Sequence, residues 1–152
     1  MDRFSKEIRS RIMASVPSKG NRSTEQLLGS MLWQSGLRGY RKQWPVAGHP
    51  DFAWPGIKLA VFVDGCFWHG CRRCRNLPQS NASFWREKID GNQRRDKQVT
   101  VSLRRAGWTV LRVKECELRL PSTLRRIAVA LHALRRDEGT PPEGLGSGFP
   151  GR

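Results

Sequence analysis

Hydrophobic positions along the chain fall into two rhythms, and their order predicts the elements. Leu27, Leu28, Met31 and Leu32 recur at helical spacing. Ser23-Thr24-Glu25-Gln26 before them matches a capping box, and Gly36 sits where a left-handed glycine stops a helix. Tyr40 to Trp44 reads as a short strand interrupted by Arg41, Lys42 and Gln43, and Pro45 to His49 as a turn. Pro50-Asp51 then opens a second strand through Trp54, Pro55-Gly56 turns the chain, and Lys58 to Val63 returns antiparallel. Leu59 to Val63 is five consecutive apolar residues closed by Asp64-Gly65, the signature of a strand buried on both faces. Asp51 therefore begins one strand while Asp64 ends its neighbour, and the hairpin is expected to bring Asp51 alongside Val63.

Beyond the cysteine-rich stretch, Asn81 or Ser83 is expected to cap a helix from Phe84 to Ala106, closed by Gly107. Trp85, Ile89, Val99 and Leu103 form its inner face; Lys88, Arg94, Arg95, Lys97 and Arg104 form its outer one. Asp96 falls on the inner face, where a carboxylate is costly without a partner. Trp108 to Val113 is a further strand. Ser122 begins a last helix with Leu124, Ile127, Leu131 and Leu134 on one side. The order predicts a single α/β domain, a mixed β-sheet flanked by helices. Its expected limits are residues 23–136. Residues 1–22 form a basic arm with a weak helical signal around Ser5 to Ala14. Residues 137–152, dominated by Gly and Pro, form a flexible tail.

Charge changes this picture most. The 152 residues carry 28 Lys and Arg against 13 Asp and Glu, a net charge of +15. That balance points to a polyanion, and nucleic acid is the commonest one. No apolar run approaches a membrane span, and the N-terminus lacks a signal-peptide core, so no membrane role and a cytoplasmic location are expected.

In a reducing compartment, cysteines favour metal over disulfides. Cys66, Cys71 and Cys74 are spaced C-x4-C-x2-C, and Cys116 follows the next strand. Four thiolates make a closed tetrahedral site for a structural zinc ion. Arg72, Arg73 and Arg75 lie among them and help keep the thiols ionised. Three other residues carry chemistry with plainer alternatives. Asp51 beside a strand end is the minimum equipment for Mg2+, though an aspartate there is often only a turn residue. His69 follows the central strand, where a histidine is more often structural than a base. Glu25 suits the positive end of its own helix.

The strings Gly48-His49-Pro50-Asp51-Phe52, Val61-Phe62-Val63-Asp64-Gly65-Cys66-Phe67-Trp68-His69, Phe84-Trp85-Arg86-Glu87-Lys88-Ile89 and Gly107-Trp108 together resemble the very short patch repair (Vsr) endonucleases, from about Ser5 to Leu134. Gly-Cys-Phe-Trp-His is highly specific to that family. The resemblance implies a restriction-endonuclease-like fold bearing a structural zinc. It implies Mg2+-dependent nicking of double-stranded DNA beside the thymine of a T·G mismatch, by a monomeric, nucleoid-associated bacterial enzyme with possible repair-system partners. It makes Asp51 and the main-chain carbonyl of Val63 the Mg2+ ligands, His69 the general base and Asp96 the residue that orients it. Glu25 would bind metal-linked water, and Phe67, Trp68 and Trp85 would form an aromatic wedge at the mismatch. The chain departs from the family in two places. Position 64 is Asp where other members can carry His, which leaves Asp64 a metal or water ligand at best. The zinc ligands are all Cys where others mix His and Cys. Two rival readings stand beside this one: a sequence-specific endonuclease of related fold without mismatch preference, and a non-catalytic zinc-bearing DNA-binding module.

Overall fold

Helix α1 spans Arg22–Gln34 in the computed structural model, which describes residues 22–66, 70–74 and 79–139. The expected helix at Ser5 to Ala14 and most of the tail lie outside those residues. Because α1 already includes Arg22, Ser23 lies inside the first turn rather than at the expected cap. Its C-terminus is a Schellman motif. The amide of Leu37 donates to Leu32 O at 2.9 Å and that of Gly36 to Trp33 O at 3.1 Å. Gly36 takes φ +72°, which a side chain would strain.

Strands β1 (Phe52–Trp54) and β2 (Leu59–Asp64) pair antiparallel around a 3-10 turn at Pro55–Ile57. Strand β3 (Thr109–Lys114) joins β2 in parallel, giving a three-stranded mixed sheet in the order β1-β2-β3. The strand expected at Tyr40 to Trp44 is reduced to a single bridge, Arg41 to Ala53. Helix α2 (Ala82–Arg105) makes the crossover from β2 to β3 that a parallel pair requires. It ends on a second Schellman motif, at Gly107 with φ +85°. Asn81 precedes it in the left-handed region without a side-chain cap bond. Helix α3 (Pro121–Glu138) begins with proline in its first turn, one residue before the expected Ser122, and runs two residues past the expected boundary at 136.

Alternation along the strands divides the core in two. Phe52, Trp54, Leu59, Val61 and Val113 face Leu28 and Leu32 of α1 and Ile127 and Leu131 of α3. Ala60, Phe62 and Val110 face Leu103 of α2, with Val99 packed alongside. The sheet is therefore covered on both sides, which is why β2 reads as an unbroken apolar run. Each of these layers buries side chains worth roughly 1.5–3 kcal/mol apiece. No helix among the described residues is long and apolar enough to cross a membrane.

Candidate active site and thiol cluster

Asp51 immediately precedes β1 and is only 9% exposed. Register places Phe52 opposite Val61; two residues further along, Pro50 comes opposite Val63. Proline has no N–H to complete the ladder there. The Asp51 side chain takes over part of that edge: its Oδ2 accepts the Val63 amide at 2.7 Å. Its Oδ1 accepts from Gln43 Nε2 at 3.4 Å, and the same amide nitrogen reaches Glu25 Oε1 at 3.4 Å. The hairpin thus brings Asp51 to Val63 as the hydrophobic pattern predicts, and α1 brings Glu25 to Asp51.

The electrostatic consequence is large. Burial, followed by the side-chain interaction with Glu25 and the charges of Glu25 and Asp64, raises the Asp51 pKa from 3.8 to about 7, against the opposing Val63 hydrogen bond. A buried carboxylate surrounded by carboxylates is held in an unfavourable state unless a cation arrives. An ionised carboxylate has about four lone-pair directions, so two accepted bonds leave room for a metal. The oxygen donor set suits Mg2+.

On the α2 side of the sheet end, Asp64 and Asp96 meet Arg112. Arg112 Nη1 lies 2.8 Å from Asp64 Oδ1 and 3.6 Å from Asp96 Oδ1. Asp96 therefore has a cation beside it, which relieves the cost expected of a carboxylate on that helix face. His69, the group that the resemblance pairs with Asp96, lies outside the described residues, as do Phe67 and Trp68. Trp85 is described: it is half-buried and packs edge-to-face with Phe84 at 5.2 Å. Phe84 itself is 52% exposed. Gln43 and Arg112 are the site residues that sequence reasoning misses. A polar residue in a broken strand and an arginine among 28 basic residues carry no distinguishing signal.

The thiols of Cys66, Cys71, Cys74 and Cys116 all lie within 4.8 Å of one another. The Sγ atoms of Cys71 and Cys116 are 3.7 Å apart. A tetrahedral ion with Zn–S bonds of about 2.3 Å separates its ligands by about 3.8 Å, so the cluster has the right size for one metal ion. A 3-10 turn at Glu115–Glu117 presents Cys116. Glu115 Oε2 accepts the Cys66 amide at 3.3 Å, tying the end of β3 to the loop after β2. Hydrogen bonds from the backbone of Cys74 and then Arg73 lower the Cys71 thiol to about 7, against desolvation, while burial pushes Cys66 upward. A cation is what allows such neighbouring thiolates to coexist.

A carboxylate cluster at a sheet end, in a basic α/β domain, defines a candidate hydrolase of nucleic acid. Comparison with known proteins is consistent with that class. The family described as DNA mismatch endonuclease Vsr matches residues 1–76. The type II nicking enzyme V.NmeDIP of Neisseria meningitidis serogroup C is 42% identical over 114 residues, 74% of this chain and 76% of that protein. The type II nicking enzyme V.NaeI of Lentzea aerocolonigenes is 38% identical over 141 residues, 89% of this chain and 83% of that protein. DNA mismatch endonuclease Vsr of Escherichia coli (strain K12) is 34% identical over 120 residues, 78% of this chain and 76% of that protein. The chain belongs to the Vsr family of DNA endonucleases.

Proposed function

We propose that this endonuclease nicks one strand of DNA on the 5′ side of the thymine in a T·G mismatch, by Mg2+-dependent phosphodiester hydrolysis, and so begins very short patch repair. The observation that carries the reading is Asp51: buried, bonded to the Val63 amide, and linked through Gln43 to Glu25. Asp51 and the Val63 carbonyl would hold the cation, and Glu25 the water at its edge. Bound there, Mg2+ supplies neutralising charge to the phosphate and a more acidic water. His69 takes the proton from the attacking water, and Asp96 holds the imidazole for it. One such site cuts one strand, so a monomer suffices. The sheet covered by helices on both faces fits the restriction-endonuclease-like architecture. The four thiols hold a structural zinc that pins the loop carrying Phe67, Trp68 and His69. Residues 1–22 act as a basic arm ahead of the endonuclease domain.

A T·G pair stacks and pairs less well than a regular one, so opening it costs less. Phe67, Trp68 and Trp85 would enter there. Ring-base stacking of roughly 1–3 kcal/mol per base offsets part of the unstacking. The relatives named type II nicking enzymes favour a second reading, in which the sequence around the nick matters as much as the mismatch. The deciding experiment is nicking of a panel of duplexes, each mismatch in several sequence contexts, with and without Mg2+. Selective, Mg2+-dependent cutting beside T·G supports the proposal; equal cutting of fully paired duplexes sinks it. Trp68→Ala is expected to keep the fold and the zinc while losing much of the T·G preference in the same assay.

A further inference from the structure

Arg112 stands among the carboxylates without a role in the chemistry above. It projects from β3 toward the face that α2 covers, and it pairs across the ladder with Phe62. The guanidinium lies over the Phe62 ring, 4.5 Å from its centroid. Every nitrogen is engaged. Nε donates to Thr100 Oγ1 at 3.1 Å, Nη2 to the main-chain carbonyl of Asp96 at 3.2 Å, and Nη1 to Asp64 Oδ1 at 2.8 Å. The last is a charge-assisted bond between side chains only 23% and 15% exposed, so solvent screens it less than a surface pair. An arginine fixed from four directions is not a free phosphate anchor.

Asp64 directly follows Val63, whose amide donates to Asp51 Oδ2 at 2.7 Å, so the two carboxylates sit at the same end of β2. Two carboxylates at the end of one strand can both contribute to a divalent-cation site when neither is otherwise paired. Here one of them is already bonded to a guanidinium. We propose that Arg112 is a positioning residue of the active site: it holds Asp64 in an ion pair beside the metal position instead of in it, and it fixes α2, through Asp96, to the end of the sheet. The proposal rests on Asp51 being the cation-binding carboxylate.

Removing the guanidinium therefore frees Asp64 and leaves an extra negative charge by the cation. Arg112→Met removes the guanidinium, and with it the contact over the Phe62 ring, but keeps an unbranched side chain as far as the position of Nε. In zinc-loaded protein titrated with Mn2+, with free Mn2+ read by electron paramagnetic resonance, this variant should bind the cation about tenfold more tightly than the parent. Its kcat for nicking should fall about tenfold, with KM for DNA little changed. The double variant Asp64→Asn/Arg112→Met loses both charges and should bind Mn2+ within about threefold of the parent. Arg112→Lys retains the charge and should restore Mn2+ affinity but only part of kcat. Mn2+ binding by Arg112→Met equal to the parent's would overturn the proposal. So would a tenfold loss in the double variant, which would make Asp64 itself a ligand; this second measurement decides the matter if the single variant does not fold. Asp51→Asn, titrated in parallel, separates the two levels. If it still binds Mn2+ and nicks, the reading of the site is wrong; if it loses both, only the role of Arg112 is at stake.

Discussion

Asp51 is both buried and surrounded by like charge, which costs the fold stability and suits the cation site proposed above. Asparagine in its place cannot supply the charge that would hold the proposed Mg2+. Asp51→Asn should keep DNA binding, measured by gel shift, and lose nicking; parent-like nicking by this variant would refute the metal assignment. The raised pKa gives a second expectation for the protein without added Mg2+. Between the unfolded value of 3.8 and the folded value of about 7, the native state keeps a proton that the unfolded chain has lost. Stability from this group is therefore full below about pH 4 and is lost as pH rises through about 7. Asp51→Asn removes that loss, so it should melt higher than the parent at pH 8, and the gap should close by pH 4. A gap that does not change with pH, in thermal melts at both values, would show that the carboxylate ionises freely in the fold. At this scale the sequence made Asp51 and the Cys66, Cys71 and Cys74 claw legible, because strand position and close spacing are local, and the lack of any other cysteine pointed to Cys116 as the fourth thiol. Gln43 and Arg112 were not, since each acquires its meaning from partners 8 to 48 residues away.

The hairpin and the thiol cluster are the elements that bring the candidate site residues together. Pairing of β1 with β2 sets Asp51 beside Val63, and β3 ends where Glu115 and Cys116 can reach the loop after β2. A zinc ion on the four thiols would join the end of β3 to the loop after β2 at a place where Cys66, Cys74 and Cys116 are not themselves buried. Cys116→Ser should lower the melting temperature by several degrees and reduce bound zinc below one ion per chain. It should also lower nicking by loosening the loop that carries His69. Metal analysis of the purified parent and a thermal melt of the variant check this; full stability in Cys116→Ser would count against a structural ion. Both glycine stops were readable from sequence. The helix starts came early, at Arg22 two residues before the Thr24 that the capping box implies and at Pro121 one residue before the expected Ser122, because helix ends are the least sharply encoded part of an element.

The molecule as a whole carries +15 charge, and α2 turns Lys88, Arg94, Arg95, Lys97 and Arg104 to solvent. If binding neutralises roughly six or more phosphates, affinity should fall by about three orders of magnitude between 50 and 200 mM salt. Fluorescence anisotropy with labelled duplex measures the slope, and a flat response would remove the basic surface as the DNA footprint. The sequence by itself determined the α/β order, the two-sided burial of β2, the thiol set, the basic character and the family resemblance. Each of these is carried by local period, spacing or composition. Only the tertiary structure decided that Tyr40 to Trp44 contributes a single bridge, that Gln43 joins Glu25 to Asp51, and that Arg112 takes Asp64 and Asp96. Those are matters of register and of charge brought together across the sheet, and a linear pattern does not encode which distant partner satisfies a buried charge.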